Sequence, residues 1–98
     1  MMHRLKTDLE VYALVRSGRK TFEFRRDDRA FAEGDKVILV PWDPATGSAV
    51  FDQGSVVADV GFVLRGPSYG LPDGYCVFSL LDVCTERALV AGSEARPR

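Results

Sequence analysis

Three long apolar segments rich in β-branched residues constrain the fold of this chain most strongly. They read VILV at residues 37–40, SVVADVGFVL at 55–64 and YCVFSLLDV at 75–83, and turn-forming stretches separate them. Segments of this length and composition, bounded by Gly and Pro, are typical of buried strands. The sequence therefore predicts a mainly β protein, in which Gly61 marks a bulge or a tight bend of a barrel.

One helix is predicted ahead of these strands. The segment 7–18, TDLEVYALVRSG, carries an apolar stripe at helical spacing and ends at Gly18, a natural left-handed stop. Thr7 and Glu10 have the spacing of a capping box, which would fix the beginning of the helix. The expected order is thus a helix followed by four or five strands. A small, strongly bent β-barrel with the N-terminal helix packed on one side accommodates this order best.

Residues 20–26 (KTFEFRR), which follow the helix, alternate with a period of two. Phe22 and Phe24 fall on one face, and Glu23 and Arg25 fall on the other. We expect a strand whose aromatic face joins the core and whose second face is polar. The predicted core combines this aromatic face with apolar residues of the three long segments. Its members are Phe22, Phe24, Val37, Leu39, Val57, Phe62, Val77 and Leu80.

Basic residues are concentrated in the first third of the chain. Residues 1–29 hold eight Lys and Arg against five Asp and Glu, a net charge of +3, whereas the remainder carries −4. A local basic surface can attract an anionic ligand even though the whole chain carries −1. The alternative is a charged face that is merely solvated.

The length of 98 residues suits one domain with one core. We expect this domain over residues 1–84, followed by a partly flexible extension over 85–98. No apolar run is long enough to span a membrane. The charged N-terminus lacks the apolar stretch of a secretory signal, so a cytoplasmic location is expected.

The two cysteines, Cys76 and Cys84, fall on one predicted strand. At about 3.3 Å per residue they would lie about 26 Å apart, which is beyond disulfide reach. We expect both to be reduced and partly buried. With His3 as the only histidine, the sequence offers no zinc-ligand pattern, and neither a metal nor a cofactor is predicted.

The pattern G-x-K-x-x-E-x-R at residues 18–25, followed by Gly34 and Asp35, resembles the signature of the ASCH domain, which belongs to the PUA-like superfamily. Over residues 3–83 the chain is more closely similar to a small phage-associated and bacterial family of unknown function within that group. Members of that family read H-x-L-K, then G-x-K-T-F-E-x-R-x-x-D-R-x-F, then G-D. The matching residues are His3, Leu5, Lys6, Gly18, Lys20, Thr21, Phe22, Glu23, Arg25, Asp28, Arg29, Phe31, Gly34 and Asp35, and the later Thr46, Gly47, Gly74, Tyr75 and Val77 also fit the family.

This resemblance implies a PUA-like β-barrel that binds RNA or a nucleotide-like ligand in a cleft beside residues 20–26. Such a site needs cations for phosphates, a carboxylate for base edges and aromatic faces for stacking. Packing within the fold is the alternative role for the two aromatic candidates, Trp42 and Tyr69. The candidate ligand-binding residues are Lys6, Lys20, Glu23, Arg25, Arg26, Arg29, Trp42 and Tyr69.

An enzymatic alternative comes from a second group that the sequence resembles. These ASCH-like amidohydrolases deacetylate acetylcytidine with a lysine, a threonine nucleophile and a glutamate, and they read G-R-K-T-x-T-x-R. Their lysine and arginine match Lys20 and Arg25, but their nucleophile falls on Glu23. Thr21 is the remaining candidate nucleophile, so Lys20, Thr21 and Glu23 are the candidate catalytic residues. We expect a binding module rather than an amidohydrolase acting on an acylated nucleoside.

A third alternative is a phage accessory protein that binds a host protein. This function requires an exposed apolar patch, and residues 62–72 (FVLRGPSYGLP) are the candidate segment. Such a protein would be indifferent to nucleic acid, which separates it from the other two functions. The sequence predicts no oligomeric state.

Overall fold

This computed structural model describes residues 1–50 and 52–86. This part of the chain contains six strands, one α-helix and one short 3-10 turn. Of the extension predicted over residues 85–98, only residues 85 and 86 are described, and they belong to the last strand. Residues 87–98 lie outside the described residues. The elements are β1 (Met2–Asp8), α1 (Leu9–Arg16), β2 (Phe22–Arg26), β3 (Lys36–Asp43), β4 (Ser48–Ala49), β5 (Ser55–Arg65), the 3-10 turn (Ser68–Gly70) and β6 (Tyr75–Glu86).

One curled sheet runs through these strands in the order β1-β3-β5-β6-β2, so β1 and β2 form its two edges. β1 pairs with β3 in parallel, whereas the other neighbours pair antiparallel. β4 pairs with β3 off this path and closes a short hairpin. The curled sheet is a half-barrel, which confirms the prediction of a mainly β fold with one short helix.

The three long apolar segments form β3, β5 and β6, as predicted. The register of β5 against β6 shifts between Val60 and Val63, which confirms a bulge around Gly61. A Cβ atom on Gly61 would overlap the Ser79 side chain of the neighbouring strand, so any other residue at this position would require the Ser79 side chain to move. One difference is that β3 continues through the expected turn at Pro41 and ends at Asp43.

The N-terminal segment differs from the predicted order, because a strand precedes the helix. Along β1 the side chains of His3, Leu5 and Thr7 are buried, and those between them are exposed. The predicted capping box is wrong: the Thr7 hydroxyl donates to the Leu5 carbonyl at 3.3 Å, and Asp8 occupies the N-cap without a side-chain hydrogen bond. The helix ends before Gly18, whose φ of +84° is the expected left-handed stop.

The core lies between the inner face of the sheet and α1. Tyr12 of the helix is fully buried, and its hydroxyl donates to the Gln53 carbonyl at 3.2 Å. Burial raises the pKa of Tyr12. No helix within the described residues is long and apolar enough to cross a membrane. The buried apolar cluster comprises Leu5, Tyr12, Val15, Phe31, Val37, Leu39, Val56, Ala58, Val60, Cys76, Phe78 and Leu80.

Of the five core positions predicted on β3, β5 and β6 other than Phe62, three are confirmed and two lie outside the buried cluster. Val37, Leu39 and Leu80 are buried, and Val57 and Val77 are half-buried. In these strands the apolar residues are dense enough that either face can pack against something apolar. The apolar pattern therefore predicted the strands, but it did not show that Val56, Cys76 and Phe78, and not Val57 and Val77, face the core.

The two faces of β2 are reversed relative to the prediction. Phe22 and Phe24 are 45% and 47% exposed on the outer face, whereas Glu23 is 2% exposed on the inner face. The register explains the reversal, because Glu23 pairs with Phe78, whose side chain is in the core. Phe62, also predicted in the core, is 68% exposed beside the β5 bulge.

Both cysteines lie on β6 as free thiols. The prediction of partial burial holds for Cys76, which is buried, and is wrong for Cys84, which is exposed. Burial, with a smaller contribution from Asp27, raises the pKa of Cys76 to about 11. The Cys76 thiol is therefore protonated at neutral pH.

Candidate functional site

The two edges of the half-barrel, β1 and β2, approach each other across an open cleft of about 540 Å³. Residues 5–8 of β1 form one wall, and residues 23–26 of β2 form the other, together with Lys20. Phe31 lies at the base, and Tyr75 of β6 lies beside β2. The cleft is thus the place where the sheet fails to close into a complete barrel.

Charged side chains dominate the lining of this cleft. Five cations and three anions line it, so it carries a net charge of +2 in a chain whose net charge is −1. This excess of positive charge agrees with the basic N-terminal third of the sequence. The cations are Lys6, Lys20, Arg25, Arg26 and Arg29, and the anions are Asp8, Glu23 and Asp28.

Glu23 is the most buried charged residue of the cleft. Its Oε2 accepts a hydrogen bond from Lys20 Nζ at 3.0 Å, and its Oε1 accepts one from Arg25 Nε at 2.7 Å. Charge-assisted bonds of this kind offset the cost of removing a carboxylate from water. Because each oxygen already has a cationic partner, Glu23 fixes the positions of Lys20 and Arg25. We call these three residues the glutamate cluster.

We call the gap between β1 and β2 the seam, and two arginines bridge it to β1: Arg25 from β2 and Arg29 from the loop after β2. Arg25 Nη2 donates to the Lys6 carbonyl at 3.0 Å and to Thr7 Oγ1 at 3.1 Å. Arg29 Nη1 donates to the Arg4 carbonyl at 3.1 Å. These guanidinium groups satisfy carbonyls that a neighbouring strand would satisfy in a closed barrel. The seam is therefore held by side chains, which leaves space for the cleft.

An aromatic rim borders the cleft on the β2 side. The rings of Phe24 and Tyr75 stack with centroids 5.4 Å apart and an interplanar angle of 22°. The Arg26 guanidinium lies 5.3 Å from the centroid of the Tyr75 ring, and Arg26 pairs with Tyr75 in the sheet. Sequence reasoning missed Tyr75 as a site residue and assigned Phe24 to the core. The period of two along β6 places Tyr75 and Val77 on the same face, which was the available signal. The sequence did not show that β6 pairs with β2 and so brings Tyr75 to the cleft.

Two of the predicted ligand-binding residues do not line the cleft. Trp42 is half-buried on β3, where Lys6 Nζ lies 4.3 Å from its ring centroid, so it positions a cleft residue without lining the cleft itself. Tyr69 is 85% exposed on the 3-10 turn. The cleft brings together the other six predicted residues, which are Lys6, Lys20, Glu23, Arg25, Arg26 and Arg29.

The candidate nucleophile is also outside the cleft. Thr21 is exposed just before β2, and its carbonyl accepts the backbone N–H of Leu80 at 3.0 Å. The threonine that does line the cleft is Thr7, and it bonds Arg25 and the Leu5 carbonyl. Among the described residues, neither threonine has a general base as its hydrogen-bond partner.

A second polar pair lies in the closed part of the fold. His3 Nε2 donates to Asp35 Oδ2 at 2.8 Å, and the backbone N–H of Ala32 donates to the same oxygen at 3.0 Å. The hydrogen bond from His3, and then that from Ala32, lower the pKa of Asp35. This pair ties β1 to the turn before β3. Within residues 1–50 and 52–86, no group of three or more His, Cys, Asp or Glu side chains is arranged to hold a metal.

Comparison with known proteins places the chain in a family without an assigned activity. No curated protein matches the sequence. The family model described as Domain of unknown function (DUF3850) matches residues 2–80. This range begins with β1, extends into β6 and includes every residue that lines the cleft. The chain therefore belongs to the family Domain of unknown function (DUF3850).

Proposed function

We propose that this chain is a PUA-like domain of the ASCH type that binds RNA or a nucleotide-like ligand in the cleft between β1 and β2, without catalysing a reaction. The observation that carries the proposal is the cleft itself, which combines a net charge of +2 with an aromatic rim in an acidic chain. The curled, mostly β half-barrel with one helix supports the assignment to this fold family.

The cations of the cleft fall into two groups with different tasks. Lys20 and Arg25 are bonded to Glu23, so their charge is partly balanced within the protein. Lys6, Arg26 and Arg29 are exposed, and none of them forms an ion pair with a carboxylate among the described residues. The second group is the one that supplies contacts to phosphates, whose charge is the main source of affinity for nucleic acids.

The size of the cleft suits one nucleotide. Its volume of about 540 Å³ falls within the range of about 300 to 1,000 Å³ that is usual for small-ligand sites. Stacking on aromatic side chains and charge contacts to phosphates together are typical of proteins that bind single-stranded nucleic acid. The rim formed by Phe24 and Tyr75 lies beside Arg26, so both kinds of contact are within reach of one bound nucleotide.

The amidohydrolase alternative lacks an activated nucleophile among the residues that line the cleft. The Thr7 hydroxyl is held by Arg25 and the Leu5 carbonyl, and Thr21 lies outside the cleft. The thiol of Cys76, which pairs with Arg25 on the neighbouring strand, stays protonated because burial raises its pKa to about 11. The exposed Phe62 and Tyr69 favour the host-protein alternative, and the experiment below separates it from nucleic-acid binding.

The test is fluorescence anisotropy of a labelled, mixed-sequence single-stranded RNA, titrated with the protein at several salt concentrations. The variants are Lys6→Gln and Arg29→Gln, with Arg16→Gln at the end of α1 as the matched control. We expect each cleft variant to weaken binding and to lower the salt slope by about 0.7, the value for one phosphate contact on a single strand. Charge reversal at Arg25 is a poorer test, because Arg25 is also ion-paired with the buried Glu23, so its loss would disturb the glutamate cluster.

Three outcomes separate the alternatives. Equal binding by the cleft variants and Arg16→Gln would move the site away from the cleft. The absence of any RNA binding, together with hydrolysis of an acylated nucleoside that Lys20→Ala abolishes, would support the amidohydrolase. The absence of both activities would support a protein partner.

A further inference from the structure

The outer face of β2 carries aromatic side chains that the fold leaves uncovered. Phe22 and Phe24 are 45% and 47% exposed, although large apolar side chains are usually buried. The register of β2 turns both rings outward, and Tyr75 of β6 adds a third ring next to Phe24. We call Phe22, Phe24 and Tyr75 the aromatic track.

Cations hold the rings of this track and border it at both ends. Lys20 Nζ lies 4.7 Å from the centroid of the Phe22 ring, and Arg26 lies over the Tyr75 ring. Phe24 stacks on Tyr75. Each ring therefore has at least one protein contact that fixes it, while a large part of Phe22 and Phe24 faces solvent. Rings that are already ordered bind a ligand at a lower entropic cost.

The track is continuous with the cleft. Phe24, Arg26 and Tyr75 belong both to the track or its border and to the lining of the cleft. A ligand that leaves the cleft on the β2 side therefore meets the aromatic rings next. We infer that the aromatic track stacks the bases of single-stranded nucleic acid, and that the ligand of the cleft is one nucleotide within such a strand. This inference rests on the proposed function and names its ligand more closely.

The spacing of the rings favours an unstacked single strand over a duplex. Alternate residues of a strand lie about 6.6 Å apart. This distance is about twice the 3.4 Å rise per nucleotide of a stacked strand, so two neighbouring bases that each stack on one ring cannot also stack on each other. In a duplex the faces of the bases are covered by their neighbours. Exposed aromatic side chains on a sheet are a recurring platform for splayed single-stranded bases.

The experiment compares Phe22→Ala and Phe24→Ala with Phe62→Ala, which removes an equally large and more exposed ring from β5. The probes are a labelled mixed-sequence single-stranded RNA and the duplex of the same sequence. Truncation of a stacking aromatic residue weakens single-strand binding by about 5- to 150-fold, and we expect losses in this range for both track variants. The salt slope should not change, because no phosphate contact is lost. Phe62→Ala should bind as the wild type does.

Two conservative variants distinguish stacking from a simple apolar contact. Phe22→Tyr keeps an aromatic face and should retain most of the affinity, whereas Phe22→Leu keeps apolar area and should lose most of it. Equal affinities for Phe22→Leu and the wild type would overturn the stacking role. Thermal melts of all variants serve as the control for unfolding. We expect melting temperatures close to that of the wild type, because these side chains are about half exposed.

The variants distinguish a failure of the track from a failure of the cleft. RNA binding that depends on Arg29 but is equal in Phe22→Ala and Phe62→Ala would overturn the track and leave the cleft in place. Binding that is lost in Phe22→Ala but unchanged in Arg29→Gln would support the track and overturn the cleft. A wild-type protein that binds no RNA would overturn both, and the exposed rings would then be assigned to a protein partner.

Discussion

The closed side of the half-barrel and the seam use the same strands but different bonds. On the closed side, backbone hydrogen bonds join β1 to β3 and β3 to β5, and the inner face is apolar at Val37, Leu39 and Val56. At the seam, guanidinium groups bridge β1 and β2, and the inner face of β2 carries Glu23. Backbone pairing with an apolar interior provides stability, whereas charged side chains at an open edge provide a place for a ligand.

This difference has a physical reason. When two strands pair, their facing backbone N–H and C=O groups bond to each other. Paired strands lie about 4.8 Å apart, which leaves no space for a ligand between them. Side chains that bridge a wider gap can exchange a carbonyl partner for a phosphate at little net cost, because both are hydrogen-bond acceptors. Arg29, with its single bond to the Arg4 carbonyl, is the bridge best placed for such an exchange.

The largest effect should come from an aromatic residue of the closed core. Phe78→Ala removes a fully buried side chain and should lower the free energy of unfolding by about 3–5 kcal/mol. Phe24→Ala, in the neighbouring strand, removes a half-exposed ring and should cost about 1 kcal/mol. Urea denaturation measures both values. Equal losses would mean that the outer face of β2 is packed as tightly as the core.

The glutamate cluster should give the next largest effect. Glu23→Gln keeps the shape of the side chain but removes the charge that Lys20 and Arg25 share. A hydrogen bond to a charged group contributes about 1.5–3 kcal/mol, so we expect a loss of about 1–3 kcal/mol in the free energy of unfolding. Glu33→Gln, at an exposed turn position, is the control and should change stability by less than about 0.5 kcal/mol. Equal stability of the two variants would show that the cluster contributes nothing to the fold.

Much of the closed side could be predicted from the sequence, because its pattern is local. The apolar runs of β3, β5 and β6 and the helical stripe that ends at Gly18 indicate their elements directly. β1 was missed because its inward positions include His3 and Thr7, so its alternation is not one of apolar and polar residues. Those two side chains are satisfied by residues far along the chain, Asp35 and Arg25, which a local pattern cannot indicate.

The seam could be predicted only in part. The charge pattern indicated the cations and Glu23, since five basic residues occur between Ser17 and Arg29. Alternation in residues 20–26 separated two faces but could not tell which one is buried, because a charged face can be buried when its partners are present. Tyr75 was missed because only the pairing of β2 with β6 brings it to the cleft.

The third expected effect is a dependence of stability on pH, and it concerns Asp35 on the closed side. The hydrogen bonds from His3 and Ala32 lower the pKa of Asp35 below its ordinary value of 3.8. The Asp35 carboxylate therefore contributes stability that is complete above about pH 4 and is lost as the pH falls through its lowered pKa. Asp35→Asn should flatten the fall in urea midpoint below pH 4, whereas Asp73→Asn, in the exposed loop before β6, should not. Parallel curves for the wild type and Asp35→Asn would contradict the assignment.

The smallest effect concerns the access of solvent to β6, the strand that pairs with β2. Cys76 pairs with Arg25 in the sheet and is buried, whereas Cys84 lies exposed near the other end of β6. With a pKa of about 11, only about 0.1% of Cys76 is thiolate at pH 8, and the thiolate is the reactive form. A thiol reagent should therefore modify one site per folded chain at pH 8 and both sites in denaturant. Cys84→Ser should abolish the modification of the folded protein. Rapid labelling of Cys76 in Cys84→Ser would mean that the arginine bridges open often. Faster labelling of Cys76 when Arg29→Gln is added to Cys84→Ser would identify Arg29 as the bridge that limits this opening.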